Sequence, residues 1–213
     1  MLGNGLSRRK LSDTPNLSLC SDSRLQLGKG LSDYRNDFQI ARYVCRHPLF
    51  FICKPERLEL TVKRVDEMGV DRKSKMFIEA VRVLSCISRE NWELKLKLFK
   101  ELGFSEQNIL VAFRRAPHVF GASERKIKEV TLLLLSVEDI PYIVSSPTLL
   151  TNSVEKRLKP RLRVLEALQS KELLKKKPSL ARFLAIPDAE FINKYVSPYS
   201  NEVVSLYAAS QDS

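Results

Sequence analysis

The chain has 213 residues, of which 44% are hydrophobic and 29% are charged, a composition typical of a folded globular protein. Its longest apolar run, TLLLLS, is far shorter than the roughly 18–20 residues that a membrane-spanning helix needs. The formal net charge of +11 favours a polyanionic partner, most often nucleic acid and less often an anionic membrane surface. The simpler alternative is an excess of lysine that only keeps the protein in solution.

The cysteines and histidines predict no metal site. They are too few and too irregularly spaced for a zinc ligand set, and no CxxC pair is present. We interpret the cysteines as reduced packing residues and the two histidines, which flank prolines, as turn or packing residues. The residues concerned are Cys20, Cys45, Cys53, Cys86, His47 and His118.

The first 35 residues differ from the rest of the chain. They are rich in Ser, Gly and basic residues and show no sustained periodicity, so we expect them to be disordered. Organelle transit peptides have a similar composition, although Asp13 and Asp22 weaken the match. We therefore divide the chain into a disordered leader or partial transit peptide (1–35), a helical repeat domain (36–209) and a short tail (210–213).

From residue 36 onward the apolar residues recur with helical spacing. Short gaps separate the periodic segments, which predicts an all-α chain of many small helices. The sets that carry this prediction are Leu58, Val62 and Val65; Trp92, Leu96 and Phe99; Leu94, Leu98 and Leu102; and Ile127, Val130 and Leu134.

Capping residues mark where these helices begin and end. Ser88 and Ser105 stand where an N-cap is needed, and residues 136–139 (SVED) have the spacing of a capping box that begins at the serine. Gly69 and Gly103 end helices and are suited to the left-handed conformation of a C-cap.

Several short stretches repeat along the sequence. VDEMGVD (65–71) and FKELGFS (99–105) align at an offset of 34 residues, and RHPLFF, RAPHVF and SSPTLL share a proline followed by apolar residues. Pro48 and Pro117 lie 69 residues apart, so a copy without proline is expected near Val83. Such units bury their apolar faces only by stacking, which predicts a solenoid.

Three longer stretches carry a family resemblance: LKLKLFKELGFSEQNILVAFRRAPHVFGASERKIKEV, SSPTLLTNSVEKRLKPRLRVLEAL and DAEFINKYVSPYSNEVVSLY. They resemble the mitochondrial transcription termination factor (mTERF) family, in particular its plant members. The match runs from Leu94 to Arg125 and from Pro147 to Leu168. The segment between Val130 and Pro147 is about two residues shorter than the family spacing and lacks the usual helix-end glycine. About five units are present, so the chain looks like a short or truncated member.

The resemblance implies an all-α fold: a right-handed α-solenoid of short helical repeats, about 30–35 residues each, curved into a half-doughnut. It also implies a monomer that binds double-stranded DNA or RNA of an organelle, a mitochondrion or a chloroplast. Implied functions are transcription termination or initiation, splicing and ribosome assembly, with protein partners in organellar transcription or ribosome assembly. No cofactor, membrane partner or enzymatic activity is expected.

The most basic segment is the candidate nucleic-acid site. Residues 151–182 contain ten Lys or Arg and three Glu, a local charge of +7. If residues 153–168 form one helix, three cations line a ridge opposite a leucine seam (Leu158, Leu162, Leu165) and two flank it, while Pro160 kinks or starts the helix. The ridge is Lys156, Lys159 and Arg163, flanked by Arg157 and Arg161; further candidates are Arg114 and Arg115 beside Pro117, and Lys175, Lys176 and Lys177.

Two alternatives to phosphate contact remain at this stage. The charge run is also compatible with a solvated helix face, although its concentration in one segment favours phosphate contact. Helical repeats also serve as protein-interaction scaffolds. We interpret the aromatic residues as core rather than as base-stacking platforms, and we expect no base-specific readout from the basic segment. These aromatic residues are Trp92, Phe99, Phe104, Phe113 and Phe120.

Overall fold

The computed structural model describes residues 55–174, 176, 178–199, 203–205 and 207. Within these ranges the chain is helical and contains no strand, which confirms the predicted all-α helical-repeat fold. The leader 1–35, Pro48, His47 and three of the four cysteines (Cys20, Cys45, Cys53) lie outside the described residues. No helix in the described part is both long enough and apolar enough to cross a membrane.

The helices follow one another with short connections. In chain order they are α1 (Pro55–Glu67), α2 (Met76–Cys86), α3 (Arg89–Glu101), α4 (Glu106–Arg115), the 3-10 helix Pro117–Gly121, α5 (Glu124–Leu135), α6 (Ile140–Ser145), the 3-10 helix Pro147–Thr151, the π-turn Val154–Leu158, α7 (Lys159–Ser170), α8 (Leu180–Ala185), α9 (Asp188–Phe191) and the π-turn Ile192–Val196.

Proline sets the form of each repeat. Pro117 and Pro147 follow α4 and α6 and each begins a 3-10 helix, because proline cannot continue the preceding α-helix. A third proline, Pro187, separates α8 from α9. Near Val83, where the sequence has lost the proline, α2 ends at Cys86 without a 3-10 helix. A repeat therefore consists of a long helix, a shorter helix and a proline turn.

Serine side chains cap the start of α3 and of α4. The hydroxyl oxygens of Ser88 and Ser105 accept hydrogen bonds from the backbone N–H groups three residues ahead, as predicted. The expected capping box at Ser136 is wrong, because α5 runs on to Leu135 and makes Ser136 its last cap residue. The N-cap of α6 is Asp139, whose carboxylate accepts the N–H of Tyr142 at 2.9 Å.

Left-handed residues end three of the long helices. Gly69 (φ 71°) and Gly103 (φ 91°) have this conformation, as predicted, and Glu172 (φ 53°) has it at the end of α7. After each of them the next N–H bonds back five residues, the arrangement of a Schellman motif. Gly69 has a second constraint, since a Cβ there would lie 2.8 Å from the guanidinium of Arg114.

The long helices bury residues in one shared pattern, three side chains at positions i, i+3 and i+7. These trios are Leu58, Thr61 and Val65 in α1; Trp92, Lys95 and Phe99 in α3; Ile127, Val130 and Leu134 in α5; and Leu158, Arg161 and Leu165 around the start of α7. They face one continuous core. The aromatic residues predicted as core are confirmed as buried, with ring centroids of Trp92 and Phe120 5.3 Å apart, whereas Leu94 is 50% exposed.

Before α7 the chain makes a π-turn, Val154–Leu158. The N–H groups of Leu158 and Lys159 bond to carbonyls five residues back, at Ser153 and Val154. In a regular α-helix the ring of Pro160 would clash with the carbonyl of Lys156, and the wider turn relieves this clash. The turn contains one more residue than an α-helical turn, so every side chain after it is rotated relative to a helix built from Ser153.

Candidate nucleic-acid interface

Arg161 lies inside the protein, so the prediction that it flanks the ridge on the surface is wrong. Its side chain is fully buried, and its guanidinium donates to the carbonyls of Phe183 (3.1 Å) and Leu184 (3.0 Å). It also donates to the Asp188 carboxylate at 2.6 Å and lies 4.4 Å from the centre of the Phe191 ring. Burial lowers the pKa of Arg161, and the hydrogen bond to Asp188 opposes that shift. This guanidinium therefore joins α7 to α8 and α9 and is shielded from any phosphate.

Arg157, on the π-turn, binds the C-terminal end of α8. It donates to the carbonyls of Leu184, Ala185 and Ile186 at 3.1, 3.1 and 2.6 Å. These are the last carbonyls of α8, which have no partner within the helix and carry its negative dipole end. Arg157 is thus a C-terminal cap supplied by another helix, and its donors are largely occupied.

Arg114 and Arg115 are also bound to backbone carbonyls. Arg114 is half-buried and donates to Met68 at the end of α1 at 2.7 Å. Arg115 is exposed and donates to Ser145 at the end of α6 at 2.8 Å. The turn was expected to present both to solvent, but each arginine instead links α4 to a neighbouring helix, and Arg115 is the more exposed of the two.

Lys156, Lys159 and Arg163 remain on the outer surface of the π-turn and α7. Lys156 and Arg163 are exposed, and Lys159 is half-exposed. The Lys159 ammonium lies 2.6 Å from the Glu155 carboxylate, an exposed i, i+4 pair that contributes little stability. At about 1.5 Å per residue the three cations span about 10 Å along the helix, which is the distance between a few neighbouring phosphates of one strand.

The lysine run after α7 is only partly described. Lys176 is exposed, whereas Lys175 and Lys177 lie outside the described residues. Lys176 follows the left-handed residue Glu172 and precedes Pro178, and it lies between the end of α7 and the start of α8. The structure therefore brings the ridge together on one helix face and leaves Lys176 outside it.

Comparison with known proteins decides the family. The sequence model of the mTERF family matches residues 30–192, about three quarters of the chain. The chain belongs to the mTERF family. This is a family of helical-repeat, nucleic-acid-binding regulators that act typically in organelles and are not known as enzymes. No curated protein matches this mTERF chain.

Two further basic residues of this mTERF chain have a structural role that the sequence did not predict. Lys95, which occupies the same buried position in α3 as Arg161 does in α7, donates to the Ala122 carbonyl at 2.5 Å. Arg57 donates to the Ser85 carbonyl at the end of α2 at 3.3 Å, as Arg157 does at the end of α8. In both pairs of helices the separation from Arg to a capped carbonyl is 28 residues, at Ser85 and at Ala185. The available signal was positional: Arg57 and Arg157 each directly precede the first member of a buried trio, and Lys95 and Arg161 each occupy its middle position.

Proposed function

We propose that this mTERF-family chain regulates gene expression in a mitochondrion or chloroplast by holding the phosphate backbone of double-stranded DNA or RNA. The regulated step is transcription termination or initiation, splicing or ribosome assembly. The phosphate contacts come from the ridge of Lys156, Lys159 and Arg163, with contributions from Arg115 and the lysine run at 175–177.

The observation that carries this proposal is that the cations around one helix have two different roles, packing and surface exposure. Arg157 and Arg161 turn inward and hold α8, whereas Lys156 and Arg163 are exposed. The inward arginines tie α7 to the repeat that follows it, so the backbone that presents the ridge is held in place. This backbone therefore loses little conformational entropy when the ridge binds a polyanion.

The ridge supports contact without sequence readout. Lysine contributes a point charge to a phosphate, and arginine adds a planar pair of donors. Contacts to phosphate carry no base information, so the sequence preference of the protein has to arise elsewhere on the repeat surface or from the shape of the nucleic acid.

The proposal is tested by filter binding of the full chain to a duplex DNA and a duplex RNA of equal length and sequence, at about 0.1 M salt. The test variant replaces the ridge: Lys156→Gln, Lys159→Gln and Arg163→Gln. We expect affinity to fall at least about tenfold, because the three cations no longer release counterions.

A matched control removes three other exposed lysines: Lys73→Gln, Lys75→Gln and Lys97→Gln. It changes the net charge by the same amount and should leave affinity within about twofold, since long-range attraction between exposed charges is screened beyond about 10 Å. Equal losses in the two triple variants would contradict a defined ridge. Absence of binding by the unmodified chain to both duplexes would favour a protein-interaction scaffold instead.

A further inference from the structure

The shared burial pattern of the long helices fixes which surface positions correspond from repeat to repeat. The trios Leu58–Val65, Trp92–Phe99, Ile127–Leu134 and Leu158–Leu165 all have the spacing i, i+3, i+7. Counting from the first member of each trio, the ridge residues stand at −2, +1 and +5. The same three positions can therefore be read on every long helix, and we call them the outer stripe of that helix.

The outer stripe changes sign along the chain. All of its residues are exposed except Lys159, which is half-exposed. From the first long helix to the last, the stripes are Glu56, Glu59 and Lys63 on α1; Glu90, Glu93 and Lys97 on α3; Arg125, Lys128 and Leu132 on α5; and Lys156, Lys159 and Arg163 on the π-turn and α7. Their charges are −1, −1, +2 and +3.

Neighbouring long helices pack side by side, so the stripes adjoin. α5 packs against both α3 and the π-turn that begins the last stripe. Arg64 of α1 lies over the Trp92 ring of α3 at 5.2 Å, which places the first two helices together. Packed helices lie about 8–10 Å apart, so the two basic stripes form one patch about 10 Å long in each direction.

One carboxylate of the acidic stripe on α3 has a lowered pKa. The backbone N–H of Glu90 and the hydroxyl of Ser88 lower the pKa of Glu90, the backbone N–H being the stronger influence. Glu93 pairs with Arg89 at 3.2 Å, and both side chains remain largely exposed. On α5, Arg125 lies 3.9 Å from Glu129, and both side chains are largely exposed. A phosphate backbone is attracted to the last two stripes and repelled from the first two.

We propose that Arg125 and Lys128 are phosphate-binding residues, and that the bound polyanion crosses α5 and α7 and stops at the acidic stripe of α3. This inference rests on the proposed function and extends it: it adds two residues on a second helix and sets the edge of the footprint. The strand runs across the repeats at this patch, because the exposed cations continue from the stripe of α7 to that of α5.

The first test compares two double variants in the duplex binding assay. Arg125→Gln with Lys128→Gln should weaken binding about tenfold and lower the slope of log K against log salt by about 1.8 on duplex DNA. Lys63→Gln with Lys97→Gln removes two exposed lysines from the outer stripes of α1 and α3 and should change affinity less than about twofold, because both lie beyond the footprint.

The second test adds charge instead of removing it. Leu132 (53% exposed) occupies the +5 position of the basic stripe on α5, and Leu94 (50% exposed) lies on α3 outside the outer stripe. Leu132→Lys should tighten duplex binding and raise the salt slope by about 0.9, and Leu94→Lys should do neither. This arm stays informative even if a loss-of-charge variant folds poorly.

The outcomes separate this inference from the proposed function. If the ridge variant weakens binding but Arg125→Gln with Lys128→Gln matches its control, the proposed function stands and this inference is overturned. If neither variant differs from its control, both fail. Equal tightening by Leu132→Lys and Leu94→Lys would show attraction to overall charge only and would overturn the footprint.

Discussion

The guanidinium of Arg161 and the carboxylate of Asp188 form an ion pair at 2.6 Å in which the arginine side chain is fully buried and the aspartate is 64% exposed. The pair sits at the edge of the core, with the arginine inside and the aspartate at the solvent boundary. Removal of the arginine therefore affects packing and two backbone carbonyls, and the aspartate it leaves behind is already hydrated.

We predict that Arg161→Ala lowers the free energy of unfolding by about 3 kcal/mol, because it opens a cavity, removes the side-chain donor to the Phe183 carbonyl and leaves the Leu184 carbonyl with Arg157 alone. Arg163→Ala, two residues away and exposed, should cost less than about 0.5 kcal/mol. Urea unfolding followed by circular dichroism measures both. Equal destabilisation by the two substitutions would contradict the claim that Arg161 stabilises the core and Arg163 does not.

Glu172 offers a stabilising substitution. Its φ of 53° is in the left-handed region, where a side chain is strained, and the residue occupies the place that Gly69 and Gly103 take in other repeats. We expect Glu172→Gly to raise the free energy of unfolding by about 1 kcal/mol. The control Glu166→Gly, inside α7, should lower it by about 1 kcal/mol. A loss of stability at both sites would contradict the role assigned to Glu172.

Substitution distinguishes the two residues that compete for the N-cap of α6. Asp139→Ala should destabilise the protein by about 1 kcal/mol, because the Tyr142 N–H loses its acceptor. Ser136→Ala should change stability by less than about 0.5 kcal/mol, since its hydroxyl only donates to the Leu133 carbonyl at an exposed helix end. Thermal unfolding shows which variant loses more stability. A larger loss in Ser136→Ala would support a capping box at Ser136 and contradict the assignment of Asp139 as the N-cap.

Lys95 makes the free energy of unfolding depend on pH in the alkaline range. Burial lowers the pKa of its ammonium below the ordinary value of 10.5, and Glu124 opposes this shift only in part. The unfolded chain therefore binds more protons than the folded one between the lowered pKa and 10.5, and stability rises with pH over that window. We expect the unfolding free energy of the native chain minus that of Lys95→Met to increase with pH as it approaches 10.5. Urea unfolding across this range measures it, and a flat difference would contradict the shift.

Much of the fold could be predicted from local signals. Apolar spacing, the serines before α3 and α4, and the glycines after α1 and α3 depend only on residues within one helix or its caps. Gly69 and Gly103 adopt the conformation that their positions require. The burial of Trp92, Phe99 and Phe113 likewise follows from periodicity, because the apolar face of a stacked repeat packs against its neighbours.

The roles of the basic residues could not be predicted in the same way. Arg161 lies three residues after Leu158 and four before Leu165 on one helix face, as Lys95 does between Trp92 and Phe99. Its burial therefore follows from the repeat spacing, but a charged side chain is ordinarily assigned to the surface. The partners of Arg157 are carbonyls 27 to 29 residues away, which no local pattern identifies. The charge of a residue alone does not show whether its cation caps a helix or binds a ligand.

The salt dependence of duplex binding tests the central claim most directly, that Lys156, Lys159 and Arg163 are the cations of the last stripe that meet phosphate. The measurement is the slope of log K against log salt for the full chain and for its Lys156→Gln, Lys159→Gln, Arg163→Gln variant on the same duplex DNA. The claim predicts that the slope becomes shallower by about 2 to 3, close to 0.9 for each cation removed. An unchanged slope would contradict it.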